Sequence, residues 1–566
     1  MAFRAWIGGA LRFSIIAMAG VGFVSAGAVA AKPAEAPTVI SAPMGQTEAR
    51  LPCNRGGSPF CELRLYQVMV GTFVDGSPEH NPIGGYGPGP HTGDIKGVIQ
   101  ALDGIKAMGF NAVWLTPIFD SAAGSPQHRH SGEKVVNPRL DGTGYYPRDY
   151  FKVDPQFGTA QDVRDLITAA RQRDLKIIFD GVFGHHKGNV TPSPSGLVPA
   201  ASNRPADYFN NPSTYPGEVV DFDNPKSLAF YDEVARYWID VYGIDGWRLD
   251  QAYQVPNRPM ARLVKSISAA SKDQGRLGYV VGEIWGTAER IRASLGTTEE
   301  PALPSAFDFP TRYALVQILA TGEDGTKGKP AATLQEAWAM GAHATYPDHA
   351  IMNLMLGNHD LVRFGDLIQR AGKGEPRSEV YWARHRLAFT FMAAWSGPIT
   401  TYYGEEVGAE VAGFSMKIRQ NCGELQKCDD HIARNMVKLP GINAKDREVL
   451  PKALALRAYL TELMALRKVS PALYAGARTH LYSDRQLYVD LKTLGAEKFV
   501  FVMNVSDLPR TISLTPSALS EVELAGAERM IGDIQVQTSS SGLKIDLPPL
   551  STGIVRIQTS GAAARP

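Results

Sequence analysis

The stretch DGWRLDQAYQV, from Asp245 to Val255, begins like a buried strand and then carries two opposite charges. Arg248 and Asp250 are two positions apart, and side chains two apart on a strand point to the same face. Buried ion pairs lose hydration and are not reliably stabilising, so chemistry explains such a pair at a strand end better than packing does. The stretch therefore predicts a strand that ends in a functional site.

Similar apolar runs recur along the chain, most of them separated by segments with helical spacing. The other seven runs are Leu63–Val70, Asn111–Pro117, Lys176–Val182, Gly278–Trp285, Ser305–Phe309, Ile351–Asp360 and Ile399–Glu406. Helical spacing is clearest in Ile95–Met108, Asp162–Arg173 and Tyr231–Val241. Eight strand–helix units close into a (β/α)8 TIM barrel, so an α/β fold of this type is predicted. A doubly wound open sheet is the structural alternative.

The N-terminus has the pattern of a targeting segment. Arg4 and Arg12 precede the apolar run Phe13–Val24, and the small residues Ala28–Ala30 fit a cleavage site, so residues 1–30 are predicted to be a signal peptide. The alternative is a membrane anchor, but the apolar run is shorter than the roughly 20 residues of a spanning helix. We therefore expect a periplasmic or secreted protein that leaves the membrane after signal cleavage.

The rest of the chain divides by composition into an arm, a barrel and a β-domain. Residues 31–60 are rich in Ala, Pro and Gly and are predicted to be a linker or arm. Residues 61–469 form the predicted catalytic barrel, with a short insertion after the third strand at about 187–218. Residues 470–566 contain short alternating runs and predict an antiparallel β-sandwich domain.

The cysteines and the charge restrict the possible partners. The four cysteines form two local pairs, Cys53 with Cys61 and Cys422 with Cys428, which are predicted disulfides in an exported protein. Zinc is the weaker alternative because neither pair has the C-x2-C spacing. A formal net charge of +1 gives no overall attraction to nucleic acid or to an anionic membrane. The sequence carries no signal for oligomeric state.

Polar side chains follow several of the predicted strands, where barrel enzymes place their catalytic groups. In chain order they are Asp180 and His185 after strand 3, Arg248 and Asp250 on strand 4, Glu283 after strand 5, and Asn358, His359 and Asp360 after strand 7. A single Asp at a strand end is most often a helix cap, and each histidine could be a core group or a metal ligand. The prediction of a site therefore depends on the joint pattern.

Eight short motifs resemble the α-amylase family (glycoside hydrolase family 13) of retaining glycosidases and transglycosidases, in the order that the family has them. They are YQVMVGTFVDG, NAVWLTPIF, DGVFGHH, DGWRLDQAYQ, VGEIWG, FDFPTR, LGNHD and YYGEE. The resemblance covers about Leu65–Pro471. It implies that Asp250 is the nucleophile, Glu283 the general acid/base and Asp360 the carboxylate that stabilises the transition state.

The resemblance also implies a set of residues that organise the site or bind substrate: Arg248, His185, His359, Tyr145, Asp180, Asp430 and Arg434. A retaining glycosidase needs one ionised and one protonated carboxyl. The guanidinium of Arg248 favours the ionised form of Asp250, and the apolar neighbours of Glu283 favour its neutral form.

The chain departs from the family pattern at three places. Gly184 stands where an Asn that commonly binds calcium is usual, and Gln254 stands where a His is usual. The Tyr-His-Gly that usually precedes the stacking tyrosine is replaced by Gly142-Thr143-Gly144. No metal ligands are therefore assigned; a calcium site is possible, but its usual ligand pattern is broken.

The leading functional hypothesis is an exported hydrolase of α-1,4 bonds in starch-like glucans or maltooligosaccharides. The second is an α-glucan transglycosidase, which uses the same nucleophile but passes the glycosyl group to a sugar. The third is an inert sugar-binding barrel, which the presence of Asp250, Glu283 and Asp360 argues against.

Overall fold

Eight parallel strands form a closed barrel in the computed structural model of the protein. The structure describes residues 36–77, 85, 87–88, 90–121, 142–186, 190–205, 218–337, 344–411, 431–519 and 524–559. In chain order, barrel strands 1 to 8 are Arg64–Val68, Ala112–Leu115, Lys176–Gly181, Gly246–Leu249, Tyr279–Gly282, Ser305–Phe307, Ile351–Met355 and Ile399–Tyr402. Strand 8 pairs with strand 1, with Ile399 opposite Arg64, which closes the barrel. The predicted fold is thereby confirmed.

Helices surround the barrel and also follow it. Their bounds are Ile95–Ala107, Ala160–Gln172, Pro225–Tyr237, Asn257–Asp273, Ala288–Leu295, Phe309–Leu319, Thr333–Ala337, Phe364–Arg370, Glu379–Ala393, Pro451–Val469 and Pro471–Ala475. The helix predicted at Tyr231–Val241 begins earlier because Asn224 accepts a hydrogen bond from the Lys226 amide and Pro225 suits a first turn. It continues into a π turn and ends at Gly243, whose φ of +77° favours glycine.

Apolar side chains fill most of the barrel, and its few interior polar groups, such as Asn353 and Thr400, hydrogen bond to each other. The inward-facing residues include Leu65, Trp114, Ile178, Tyr279 and Met355, all buried. A larger apolar cluster lies between the strands and the surrounding helices. The barrel is thus a packed core, and a functional site can form only where its strands end.

Two small sheets lie beside the barrel. Phe119–Asp120 pairs with Asp149–Val153. In the predicted insertion, Glu218–Val220 pairs antiparallel with both His185–His186 and Ala201–Pro205. Positions 187–189 and 206–217 of the insertion lie outside the described residues.

The C-terminal residues form antiparallel strands in two sheets, as predicted. The strands are Ala477–Ser483, Leu487–Leu494, Glu497–Asn504, Arg510–Leu514, Leu524–Gly532, Gln535–Ser539, Gly542–Leu547 and Ser551–Thr559. Val489 and Val500 of one sheet share an apolar cluster with Ile512 and Ile545 of the other. The two sheets therefore enclose a core of their own.

Residues 36–62 connect this β-domain to the barrel. Thr38–Ile40 pairs in parallel with Arg510–Leu514, and Thr47–Glu48 pairs with the strand Ala477–Ser483. Cys53 and Cys61 form a disulfide just before barrel strand 1. The predicted signal peptide and the predicted Cys422–Cys428 pair lie outside the described residues. Among the described helices, none is both long and apolar enough to cross a membrane.

A buried polar network lies at the contact between the barrel and the β-domain. The Arg478 guanidinium donates through Nε to Asp490 Oδ2 at 2.7 Å and through Nη2 to Gln335 Oε1 at 2.7 Å. His480 Nδ1 lies 2.8 Å from Asp490 Oδ1. Since Gln335 lies on the helix Thr333–Ala337, this network attaches a barrel helix to the β-domain.

Candidate active site

Arg248 lies at the centre of a cluster of carboxylates at the end of barrel strand 4. Its Nη1 donates to both carboxylate oxygens of Asp180, at 2.7 and 2.9 Å, and to Asp250 Oδ1 at 2.9 Å. Its Nη2 lies 2.9 Å from Glu283 Oε2. All four side chains are at most 6% exposed. One buried guanidinium therefore contacts three carboxylates at once, which explains the paired charges in DGWRLD.

The register of the barrel strands brings these groups together. Arg248 lies opposite Asp180 of strand 3. The Asp250 amide donates to the Gly181 carbonyl at 3.0 Å, and the Glu283 amide donates to the Leu249 carbonyl at 2.9 Å. Asp250 and Glu283 thus leave neighbouring strands at the same level, with their side chains at the rim.

Asp250 and Glu283 are both poised to change protonation near neutral pH. Burial raises the pKa of Glu283 to about 7, against the opposing charge of Arg248. Burial also raises the pKa of Asp250 to about 7. Arg248 favours the ionised form of Asp250, as expected, but the guanidinium of Arg248 also binds Asp180. Two adjacent carboxyls with raised pKa values titrate as a pair, so we expect them to share a proton near neutral pH.

Asp360 has the opposite electrostatic environment. Although burial opposes its ionisation, His359, Arg434 and other neighbours lower the pKa of Asp360 to about 2. Arg434 pairs with Asp360 Oδ1 and donates through Nε to the His359 carbonyl at 3.1 Å. Burial lowers the pKa of His359 to about 3, so the permanent cation beside Asp360 is Arg434. Asp360 is therefore ionised throughout the neutral range.

Tyr145, His185 and His359 form one wall of the cluster. The Tyr145 ring stacks on the His359 ring at 5.1 Å, and its hydroxyl donates to Asp180 Oδ2 at 2.9 Å. His185 Nε2 lies 3.0 Å from the Tyr145 carbonyl oxygen and 4.0 Å from Asp250 Oδ2. The structure thus brings together every site residue expected from the sequence except Asp430, which lies outside the described residues.

Several further polar residues complete the cluster and were not expected from the sequence. Gln67 Nε2 lies 2.8 Å from His359 Nδ1, and the Trp114 indole donates to Asp180 Oδ2 at 3.1 Å. His431 is buried close enough to influence the charge of Asp360. The one available signal was the position of Gln67, a polar side chain within the otherwise apolar run of strand 1.

The positions at which family members hold calcium are built differently in this chain. A Cβ atom added at Gly184 would lie 2.4 Å from Gln254 Oε1 and 2.5 Å from Gln254 Cβ, so a ligating side chain has no room at 184. The Gln254 oxygen lies 2.9 Å from His185 Nδ1. Among the described residues, no group of three or more His, Cys, Asp or Glu side chains could hold a metal ion. The residues present therefore do not fit the familiar calcium site.

A cavity of about 650 Å³ lies between the segment Trp285–Glu289 and the helices Phe309–Leu319 and Thr333–Ala337. Its lining includes Trp285, Pro310, Tyr313, Gln317, Thr333 and Glu336. Trp285 stacks on Phe309, with ring centroids 5.5 Å apart. Asp250, Glu283 and Asp360 are not among its lining residues.

Comparison with known proteins agrees with this geometry. The family model for the catalytic domain of alpha amylase matches residues 67–229 and 218–441. Neopullulanase 2 of Thermoactinomyces vulgaris is 29% identical in an alignment of 383 residues that covers 61% of this chain and 56% of the relative. Cyclomaltodextrinase of Geobacillus thermopakistaniensis (strain MAS1) is 26% identical over 86% of this chain and 75% of the relative.

A solved structure of AmyP in complex with maltose is similar over most of its length. It superposes with a TM-score of 0.80 and 40% identity, covering 89% of this chain and 98% of AmyP. The family model, the barrel and the ordered motifs all lead to the same assignment. The chain belongs to the α-amylase family of glycosidases.

Proposed function

We propose that the protein hydrolyses α-glucosidic bonds, chiefly α-1,4 bonds of starch-like glucans or maltooligosaccharides, with retention of configuration. The observation that carries the proposal is the guanidinium of Arg248, which contacts Asp250 and Glu283 at once. A retaining glycosidase needs two carboxyls on either side of the scissile bond, close enough for one to attack the sugar while the other donates a proton.

In the first step, ionised Asp250 attacks the anomeric carbon while protonated Glu283 gives its proton to the glycosidic oxygen. The bond to the leaving sugar breaks, and a glycosyl ester forms on Asp250. Positive charge develops on the ring in the transition state, and Asp360, held ionised beside Arg434, faces that charge. Tyr145, His185 and His359 provide a wall against which the reacting sugar is held.

In the second step, Glu283 takes a proton from water, and the water oxygen attacks the anomeric carbon. The ester bond breaks, which restores the Asp250 carboxylate and the Glu283 acid. Two displacements at one carbon return the original configuration.

An α-glucan substrate is supported by the relatives. AmyP was solved with maltose, and a variant of AmyP was solved with maltotriose. Two relatives are named Neopullulanase 2 and Cyclomaltodextrinase, so cyclic maltodextrins are candidate substrates as well as starch. This chain spans just over half the length of Neopullulanase 2, so the preference for one glucan is to be measured directly.

The test is incubation with maltoheptaose, with products separated by length and their anomers followed by NMR. We expect shorter maltooligosaccharides released as the α anomer, and Asp250→Asn and Glu283→Gln should abolish their release. Glu299→Gln, an exposed substitution, is the matched control and should be as active as the wild type. Initial β anomers would refute retention, longer or cyclic products would favour the transglycosidase, and no cleavage would favour an inert barrel.

We further propose that the protein is exported to the periplasm or the medium. The proposal is supported by the basic, apolar and small-residue pattern of residues 1–30 and by the Cys53–Cys61 disulfide, a bond typical of oxidising compartments. Expression of the full chain, followed by cell fractionation and N-terminal sequencing, tests it. A mature N-terminus near residue 31 outside the cytoplasm is expected, and an uncleaved chain in the cytoplasm would overturn the proposal.

A further inference from the structure

Gln254 connects two parts of the site that the mechanism uses. Its carboxamide oxygen lies 2.9 Å from His185 Nδ1, and its Nε2 donates to Gln251 Oε1 at 2.9 Å. The other ring nitrogen of His185 faces the Tyr145 carbonyl and lies 4.0 Å from Asp250 Oδ2. The amide of Gln254 therefore fixes the ring of His185 in the plane that faces Asp250.

Gln251 follows Asp250 directly and has an unusual backbone. Its φ is +39° and its ψ +49°, a left-handed conformation that residues other than glycine rarely adopt. Its side-chain oxygen accepts from both Gln254 Nε2 and the Tyr253 hydroxyl, at 2.9 Å each. Its amide points toward Glu283 Oε2, at 3.4 Å. Strained residues at active sites persist only where the surroundings hold them, and two hydrogen bonds do so here.

The space beside Gly184 makes this arrangement possible. A side chain at 184 would overlap Gln254, as its Cβ would lie 2.4 Å from Gln254 Oε1. The two departures from the family pattern are thus complementary, since the small residue at 184 admits the amide of Gln254. The family resemblance puts a calcium ligand at position 184; in this chain the amide of Gln254 lies beside Gly184 and hydrogen bonds to His185 and Gln251.

We propose that Gln254 is a positioning residue that replaces the structural cation, holding His185 beside Asp250 and Gln251 beside Glu283. The inference rests on the proposed function for its kinetic readout. The side-chain hydrogen bonds of Gln254 go to His185 and Gln251 and not to Asp250 or Glu283, so it acts through its two neighbours. Its loss should lower kcat more than it alters KM, because the groups that react are displaced while the rest of the cleft is unchanged.

The experiment compares Gln254→Met, which keeps the length of the side chain but makes neither hydrogen bond, with Gln254→Glu, which keeps an oxygen toward His185. We expect Gln254→Met to lower kcat on maltoheptaose about 10- to 100-fold with KM within about threefold, as for other residues that orient catalytic ligands. Gln254→Glu should recover part of that loss. Gln161→Met, at an exposed helix position, is the matched control and should match the wild type.

The same preparations test the replacement of the cation. We expect the thermal unfolding midpoint and the kcat of the wild type to be the same after exhaustive EDTA treatment and after addition of calcium chloride. The inference is overturned if EDTA lowers either value and calcium restores it, or if Gln254→Met keeps the wild-type kcat. A wild type that cleaves no α-glucan would instead overturn the proposed function, and the unfolding midpoints would still test the cation.

Discussion

Replacing Arg248 with lysine should disable the site while leaving the barrel folded. The guanidinium makes three hydrogen bonds of 2.7–2.9 Å through Nη1 and reaches Glu283 at 2.9 Å through Nη2. A lysine ammonium is a single point with three donors on a flexible stem, and it cannot hold three carboxylates in a fixed plane. We expect it to remain near Asp180 or Asp250, but not to align Asp250 with Glu283.

The size of the effect follows from the contacts that lysine loses. A hydrogen bond to a charged group contributes about 1.5–3 kcal/mol, and at least two such contacts of Arg248 should disappear. Because these side chains are at most 6% exposed, bulk water compensates the lost contacts poorly. A loss of about 3–6 kcal/mol of transition-state stabilisation corresponds to roughly 10²- to 10⁴-fold in kcat/KM.

The assay is the initial rate on maltoheptaose for the wild type, Arg248→Lys and the control Arg173→Lys. Arg173 also makes a bidentate contact, with Asp103, but at the protein surface. Circular dichroism and thermal unfolding check that each variant is folded. If folded Arg248→Lys kept more than about a tenth of the wild-type kcat/KM, the shared guanidinium would not be what aligns the carboxyls.

Three further predictions concern pH and stability. As the pH rises through about 7, Glu283 loses the proton it must donate, so kcat/KM on maltoheptaose should fall on the alkaline side; a profile flat to pH 9 would contradict this. The double substitution Cys53→Ala and Cys61→Ala removes a disulfide with a sequence separation of 8 and should lower the free energy of unfolding in urea by about 2–3 kcal/mol. An unchanged urea midpoint would show that packing alone holds the segment. Arg478→Met removes the guanidinium that pairs with buried Asp490 and should lower the free energy of unfolding by about 3–5 kcal/mol. The folded fraction should remain active, and equal stability of the variant and the wild type would contradict the role given to the network.

The barrel was predictable because each of its strands is an apolar run bounded by turn or helix signals. The predicted runs contain the observed strands, but several extend too far at the carboxyl end. The run Ile351–Asp360 stops being a strand at Met355, and Ile399–Glu406 stops at Tyr402. In both cases the residues after the strand have an irregular backbone at the rim of the barrel, where the polar groups of the site lie. Hydrophobic periodicity alone does not predict where the strand ends and this irregular segment begins.

The carboxylates and their histidines were predictable because the chemistry restricts them to strand ends. The contacts of Gln67, Gln251 and Gln254 were not, because an amide side chain has no preferred place in a sequence pattern and acquires its role only from what it faces. Even the departure at Gln254, visible in the sequence, indicated only a missing ligand. That the amide fills the space beside Gly184 follows from the three-dimensional contact alone.

The pairing of Thr38–Ile40 with Arg510–Leu514 sets an order on the assembly of the molecule. Thr38 and Arg510 hydrogen bond across 472 positions of sequence, so the earlier strand is made long before its partner exists. During synthesis the strand Thr38–Ile40 lacks its partner until nearly the whole chain has left the ribosome. Closing so long a loop is slow compared with local contacts, so the β-domain sheet is expected to be completed last. Under the export proposed for this protein, the strand Thr38–Ile40, close to the predicted signal peptide, would thus lack its partner strand for most of translation.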